Sequence, residues 1–275
     1  MSQVLALASA LLFGLGDFAG GYITRRVSVW RVTLWSQVIG SALLVPGLLI
    51  VGWERVTPAD LAWGVAAGLS GLIGLVVFYS TLAKGSISIV APITGATGAA
   101  IPVLFDLGTG GSLTSLQIAG IVLALFAIVL VGADRSSSSV SAQQIWWAVG
   151  AGVAFALFFI TLGQTSEESG LWPLVTARGA SIPLAFAIAL ASGVAAPPRG
   201  RDLRIIGGLG SLDMAANITI AWSLQRGSLA VNSVLSSLYP AVTALLAVFV
   251  LHERPRPWQW TGIGAATLAV IMLAL

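Results

Sequence analysis

Ten apolar segments, each about long enough to cross a lipid bilayer, follow one another along this chain of 275 residues. A membrane-spanning helix needs roughly 20 mostly apolar residues. Charged residues make up only 8% of the chain, whereas a soluble domain carries about 25%. Lipid must therefore be the solvent of most of the surface, and long apolar runs predict helices that satisfy their own backbone. The predicted spans are 2–22, 32–52, 60–82, 86–105, 116–132, 143–163, 172–192, 204–225, 229–250 and 258–275.

The two halves of the chain match each other at a fixed offset of 142 residues, the separation of Trp30 from Trp172. Asp60 matches Asp202 at this offset, and residues 82–86 match residues 224–228. Several polar matches at one offset are hard to obtain by chance, so they indicate an internal duplication. We expect a first repeat at 1–134, a linker at 135–142 and a second repeat at 143–275.

Each predicted repeat holds five spans, an odd number, so the second repeat enters the membrane from the opposite side. Inverted repeats of this kind meet at a pseudo-two-fold axis in the membrane plane, and their substrate site lies between them near the midplane. The predicted fold is therefore an all-α membrane protein with ten transmembrane helices, arranged as two inverted five-helix repeats around a central cavity.

The second half combines a proline in the middle of a span, a glutamate in the following loop and a Gln-x-x-Gly pattern in the last span. These residues are Pro240, Glu253 and Gln259 to Gly262. The arrangement resembles EamA-type members of the drug/metabolite transporter superfamily. The first half keeps Gln117 to Gly120 but has Gly98 and Gly111 in place of the proline and the glutamate. The resemblance implies ten helices, two EamA repeats and carriage of small metabolites, often outward.

Three ionisable residues fall inside predicted spans, namely Asp17, Arg178 and Asp213. A charge at membrane depth costs about 2.5–3.5 kcal/mol on insertion scales, so such residues are candidates for function. Arg178 offers planar donors that suit a carboxylate, which favours binding of an anionic or zwitterionic substrate. The alternatives are an internal ion pair with Asp213 or Asp17, or a side chain that extends to the membrane interface.

Asp213 and Asn217 are four residues apart and share one face of a helix. Because desolvation disfavours a charged carboxylate, Asp213 is the first candidate for proton coupling. Asp17 lies in a glycine-rich run from Gly14 to Gly21 that would permit close approach of another backbone. It is a candidate for the cavity wall. The alternatives are a helix-end group or a partner of Arg25 or Arg26.

A polar stripe in the ninth predicted span has residues spaced 4, 3 and 4 apart, which is one helical face. These residues are Asn232, Ser236, Tyr239 and Thr243. A polar stripe within the membrane must face protein or water, so we expect Asn232, Ser236 and Tyr239 to line the cavity. Thr94 and Thr97 on the matching face of the fourth span are weaker candidates. Hydrogen bonding between helices is the alternative.

Several aromatic residues could form an apolar wall for an amphipathic solute. These are Tyr79, Phe155, Phe158, Phe159 and Trp222. Ordinary packing is the more common role of such residues, and it remains the alternative for each of them.

Signatures of enzymes are absent from the sequence, which has no HExxH, GxSxG, P-loop or EF-hand pattern. The chain has no cysteine and one histidine, so we predict no metal site, no cofactor and no catalytic activity. The basic residues are scattered over loops, which argues against nucleic-acid binding. Without a nucleotide site in this chain, a gradient of protons, sodium or solute would drive transport.

Basic residues are distributed unevenly between the loops on the two sides of the membrane. The odd-numbered loops carry ten, namely Arg25, Arg26, Arg31, Lys84, Arg135, Arg199, Arg201, Arg204, Arg254 and Arg256. The even-numbered loops carry two, Arg55 and Arg226. The positive-inside rule therefore predicts cytoplasmic odd loops and both termini outside, whereas the family resemblance implies cytoplasmic termini.

These features predict a secondary transporter in the plasma (cytoplasmic) membrane, working by alternating access, with export as the expected direction. Its partners would be the lipid bilayer and a small polar or amphipathic metabolite such as an amino acid, with proton coupling as an option. The protein would act as a monomer or homodimer. The first alternative is an uncoupled facilitator or exchanger of the same fold. The second is a membrane scaffold or sensor, disfavoured because the predicted loops leave little surface for partners.

Overall fold

The computed structural model describes residues 1–50, 55–84, 87–131, 141–243, 246 and 257–274, and within these ranges all regular structure is helical. The predicted linker at 135–142 lies almost entirely outside them, as does the loop glutamate Glu253. The helices are α1 (Ser2–Ile23), α2 (Val29–Gly40), α3 (Leu44–Ile50), α4 (Pro58–Lys84), α5 (Ile87–Gly108), α6 (Ser115–Val131), α7 (Ala142–Gly163), α8 (Trp172–Ala191), α9 (Gly200–Gln225), α10 (Leu229–Ser236) and α11 (Pro257–Ala274).

Each predicted span corresponds to helical structure, but two of the spans are interrupted. A 3₁₀ turn at Ser41–Leu43 divides the second span into α2 and α3. The ninth span breaks after α10, and residues 239–243 are helical again. Among the described residues, six helices are long and apolar enough to cross a membrane. They are Ser2–Ile23, Pro58–Ala83, Val90–Gly108, Ala142–Gly163, Trp172–Ala191 and Gly200–Gln225. The protein is therefore an all-α, multi-pass membrane protein.

Helices α4, α6 and α7 begin with reciprocal hydrogen bonds between a cap residue and the third residue of the helix, and at α4 the pair is Thr57 and Asp60. Ser141 and Gln144 make this arrangement at the start of α7. At α6, the Thr114 backbone N donates to the Gln117 side chain at 3.0 Å, and the Gln117 backbone N donates to the Thr114 hydroxyl. These bonds satisfy backbone donors that a helix start leaves free. The Gln-x-x-Gly pattern of the first half thus has a structural role at a helix end.

The long helices pack in corresponding pairs. Helix α1 packs along α9 and α2 crosses α9, while α7 packs along α4 and α8 crosses α4. Small residues permit the close crossings. A Cβ atom at Gly68 of α4 would collide with the backbone of Ala177 in α8, and one at Gly210 of α9 would collide with the backbone of Ser36 in α2. Helices α6 and α11 pack against each other.

Contacts between connecting segments occur in two separate sets. At one end, Arg26 forms an ion pair with Asp202 at 2.7 Å, and the Trp35 indole donates to the backbone oxygen of Ala195. At the other end, Arg55 pairs with Glu168 at 3.2 Å and Arg226 pairs with Glu167 at 2.9 Å. The first set joins odd-numbered connections and the second joins even-numbered ones. This separation is what helices running in alternating directions produce.

Candidate functional site

A cavity lies between these helices. Its volume is about 790 Å³, which includes the space where the cavity opens to the outside. Its wall has residues from α1, α2, α4, α5, α7, α8 and α9, and from the segment after α10. The polar residues on it are Asp17, Gln37, Thr94, Arg178, Asp213, Asn217, Ser237 and Tyr239. Most of the length of the chain therefore contributes to this chamber within the apolar bundle.

The charged groups of the wall come from α1, α8 and α9. The Nη2 atom of Arg178 lies 2.9 Å from Oδ2 of Asp213, and these side chains are 14% and 16% exposed. Asn217 donates from Nδ2 to the backbone oxygen of Asp213 at 2.6 Å. Among the described residues, Asp17 has neither a hydrogen bond nor an ion pair. The wall thus holds one paired carboxylate and one carboxylate without a partner.

Most of the aromatic part of the wall comes from α7, which carries Phe155, Phe158 and Phe159, and Phe13 of α1 and Tyr239 complete it. The rings of Phe158 and Phe159 have their centroids 5.7 Å apart. Glycines of α4 make room for the rings, because a Cβ atom at Gly74 would lie 2.7 Å from Cδ1 of Phe155. Since α4 packs along α7 and α1 packs along α9, the three rings of α7 and the two carboxylates Asp17 and Asp213 belong to different helix pairs.

The structure places five of the seven leading site candidates on the cavity wall, namely Asp17, Arg178, Asp213, Asn217 and Tyr239. Thr94, Phe155, Phe158 and Phe159 of the weaker set are there as well. Three interpretations were open for Arg178, and the contact that the structure shows is the internal ion pair with Asp213. The roles of these residues in binding stay predictions.

Asn232 and Ser236 were predicted to line the cavity, but they are not among the residues of its wall. Asn232 donates from Nδ2 to the backbone oxygen of Ser223 at 2.8 Å, and the Ser236 hydroxyl lies 2.8 Å from that of Ser9. Both make the contacts between helices that were the alternative. The predicted stripe assumes one continuous helix, but α10 ends at Ser236, and Ser237 and Tyr239 after the break are the residues of this segment that line the cavity.

Three weaker candidates also lie away from the wall. The Tyr79 ring packs over Gly20, where it fills the crossing of α1 and α4. The Thr97 hydroxyl donates to the backbone oxygen of Ile93 at 2.8 Å. Trp222 lies near the end of α9, with the guanidinium carbon of Arg226 5.8 Å from its ring centroid. Each side chain turns toward packing or a helix end because of its angle about the helix axis.

Two polar wall residues were not among the predicted site residues. Gln37 is 1% exposed and Ser237 is 1% exposed, and both line the cavity. Gln37 could have been found as an uncharged amide inside the second predicted span, because such groups need a partner within the membrane. Ser237 has no comparable signal, since it follows the helix break and lies off the predicted stripe.

The model of the EamA-like transporter family matches residues 1–133 and 143–275. The chain belongs to this family. It is therefore a membrane transporter with a small-molecule solute, and the resemblance based on Pro240, Glu253 and the Gln-x-x-Gly pattern is confirmed. The matched ranges leave out nine residues of the EamA chain, 134–142, where the sequence predicts a linker.

Relatives of this EamA protein match different shares of its length. It is 33% identical over 94 residues to "Uncharacterized transporter YdeK" of Bacillus subtilis (strain 168), a match that spans 33% of each chain. It is 24% identical over 131 residues to "Uncharacterized protein MJ1333.1" of Methanocaldococcus jannaschii, covering 46% of this chain and 93% of that one. A solved crystal structure with 18% identity and a TM-score of 0.77 covers 100% of this chain and 98% of its own, which shows the fold alone.

Proposed function

We propose that the protein is a secondary transporter that exports a small amphipathic metabolite, such as an amino acid, across the plasma membrane by alternating access. The observation that carries the proposal is the chamber with charged groups from α1, α8 and α9 and aromatic rings from α7. Polar groups at such depth are costly and need a compensating role. A solute with a charged head and an apolar body would contact both parts of the wall.

Reciprocal contacts between the two halves support an inverted repeat, which is the architecture that alternating access requires. Asp60 accepts a hydrogen bond from the Ser166 backbone N at 2.7 Å. Asp202, its equivalent at the offset of 142 residues, pairs with Arg26. Each of the two acidic residues begins a long helix and binds the first connection of the other half. The Asp60 contact belongs to the even-numbered set of connections and the Asp202 contact to the odd-numbered set. A two-fold axis that relates the two halves would place equivalent contacts on opposite sides in this way.

The relative MJ1333.1 also supports the duplication. Residues matched over 46% of this chain account for 93% of that protein, which is therefore about as long as one predicted repeat. A protein of that length suggests that one five-helix unit existed separately before two were joined. We accordingly retain the predicted boundaries at 1–134 and 143–275.

We assign coupling to Asp17 rather than Asp213. The sequence favoured Asp213, but that carboxylate is neutralised by Arg178 at 2.9 Å. Asp17 lines the same chamber without a cationic partner among the described residues. An uncompensated charge within the membrane is costly, so Asp17 is the group at which a proton, or the amino group of a solute, would be taken up.

Flux measurements on reconstituted protein test the proposal. Uptake of a panel of radiolabelled amino acids into proteoliposomes is measured with and without a pH gradient. We expect at least one solute to be taken up faster than by empty liposomes, with a rate that depends on the gradient. Asp17→Asn should remove that dependence because an amide cannot take up a proton. The control Asp202→Asn changes a carboxylate that is 37% exposed in the first turn of α9 and should keep the dependence on the gradient.

Two results would change the proposal. Equal rates at every pH gradient would favour the uncoupled facilitator. No flux of any solute on the panel would overturn the proposed substrate class.

A further inference from the structure

The side chain of Gln37 in α2 is held in one orientation. Ser181 of α8, which is fully buried, donates its hydroxyl hydrogen to Oε1 of Gln37 at 2.6 Å. The Gln37 side chain lines the cavity, and its Nε2 group has no acceptor among the described residues. The amide oxygen is therefore turned toward α8, and the amide nitrogen is left as the group available to the chamber.

Arg178 supplies a second donor on the wall of the same cavity. Arg178 and Ser181 are three residues apart on α8 and so share one face of that helix. Gln37, which binds Ser181, and Arg178 both line the cavity. Arg178 uses Nη2 for the ion pair with Asp213, but its Nε is buried and has no hydrogen-bond partner in the described part of the chain.

A purely structural role explains only part of this arrangement. The Ser181 bond links α2 to α8, and the ion pair links α8 to α9, but neither uses Nε2 of Gln37 or Nε of Arg178. Donors enclosed in an apolar interior are costly when they have no acceptor. Nε of Arg178 is such a donor, and Nε2 of Gln37 on the same wall also has no acceptor among the described residues, so an acceptor supplied by a ligand in the chamber would satisfy both.

We propose that Gln37 and Nε of Arg178 form a subsite for a carboxylate group of the solute, with Ser181 as the positioning residue that keeps the amide nitrogen facing it. Guanidinium N–H groups bind carboxylates by charge-assisted hydrogen bonds. The proposal rests on the function proposed above and adds the chemical class of one part of the solute. Asp17 would then bind the amino group of the solute, and the rings of Phe155, Phe158 and Phe159 would contact its apolar body.

The test uses three probes that differ by one group each. L-phenylalanine has an amino group, a carboxylate and a ring; 2-phenylethylamine lacks the carboxylate; 3-phenylpropionate lacks the amino group. Binding of each probe to the purified full-length chain is measured by isothermal calorimetry. The variants are Gln37→Met, which keeps the length of the side chain without its donors, and Ser181→Ala, which keeps Gln37 but frees its amide. Gln3→Met serves as the control, since Gln3 binds the Leu273 backbone oxygen away from the cavity.

We expect Gln37→Met to bind both carboxylate probes about tenfold more weakly, the effect of losing one hydrogen bond to a charged group. Affinity for 2-phenylethylamine should be unchanged in the same variant. Ser181→Ala should weaken binding of the carboxylate probes by a smaller factor, and Gln3→Met should bind all three probes as the unmodified protein does. Unfolding midpoints without probe report whether each variant is folded.

Equal weakening for all three probes, or none for L-phenylalanine, would overturn the carboxylate subsite. If Gln37→Met is unfolded, the Ser181→Ala result decides in the same way. Failure of the unmodified protein to bind any of the probes would also overturn it. The flux assay is separate, because transport of a solute without a carboxylate would leave the proposed function intact while refuting this subsite.

Discussion

At the scale of single residues, the ion pair between Arg178 and Asp213 is the most consequential contact in the chamber. Both side chains are largely buried, at 14% and 16% exposed. Desolvating two charges can cost as much as their attraction returns, so such a pair contributes little net stability, whereas removing one partner leaves the other charge uncompensated. The pair therefore constrains which substitutions the chamber tolerates.

A comparison of single and double variants separates stability from function at this pair. We expect Asp213→Leu to lower the free energy of unfolding by about 3–5 kcal/mol, because the buried guanidinium loses its partner. Combining it with Arg178→Met should recover most of that loss, since no lone charge remains, but should not restore flux. Thermal unfolding in detergent and flux in proteoliposomes measure the two effects. A double variant no more stable than the single one would contradict this account.

At the scale of helices, close crossings of α4 with α8 and of α2 with α9 form the frame around the chamber. In both crossings a glycine of one helix meets the backbone of the other, at Gly68 and at Gly210. Packing within a membrane depends on such contacts because lipid gives no hydrophobic drive for helices to associate. The position of the charged helices relative to the aromatic ones therefore depends on these small residues.

Substitution at Gly68 tests the importance of this crossing. Gly68→Ala adds a methyl group against the backbone of Ala177, which cannot move aside like a side chain. We expect a loss of about 1–3 kcal/mol in the free energy of unfolding, typical of overpacking. Gly150→Ala is the matched control, because a Cβ atom there meets nothing within 4 Å. Equal unfolding temperatures of the two variants would show that the crossing is not tight.

At the scale of the whole molecule, the distribution of charge sets how the bundle sits in the membrane. The described connections form two sets in space. In the sequence, the odd-numbered loops carry ten basic residues and the even-numbered loops carry two. Positively charged loops are retained in the cytoplasm. The set that contains Arg26 and Asp202 would then face the cytoplasm, and both termini would lie outside.

A reporter at the C-terminus tests this orientation. A fusion to alkaline phosphatase, which is active only in the periplasm, should show activity when expressed in a bacterial host. A fusion to green fluorescent protein at the same point should be dark. Fluorescence without phosphatase activity would mean that the termini are cytoplasmic, as the family resemblance implies, and that the charge count does not set the topology.

The residues of the chamber show where prediction from the sequence ended. Asp17, Arg178 and Asp213 were identified because an ionisable group within an apolar span stands out in the sequence. Asn232 and Ser236 were misplaced because the periodicity assumed an unbroken helix, whereas α10 ends at Ser236. Gln37 was missed because its significance depends on Ser181, 144 residues away.

The sequence by itself determined the all-α membrane class, the apolar segments and the family, because a bilayer imposes length and apolarity on each segment separately. It also carried the internal match at 142 residues from which the repeat is proposed. Only the tertiary structure decided that Arg178 pairs with Asp213, that Asp17 has no partner among the described residues, and that Gln37 turns toward the chamber. These features depend on how distant helices rotate and cross, and no local pattern in the sequence specifies that rotation.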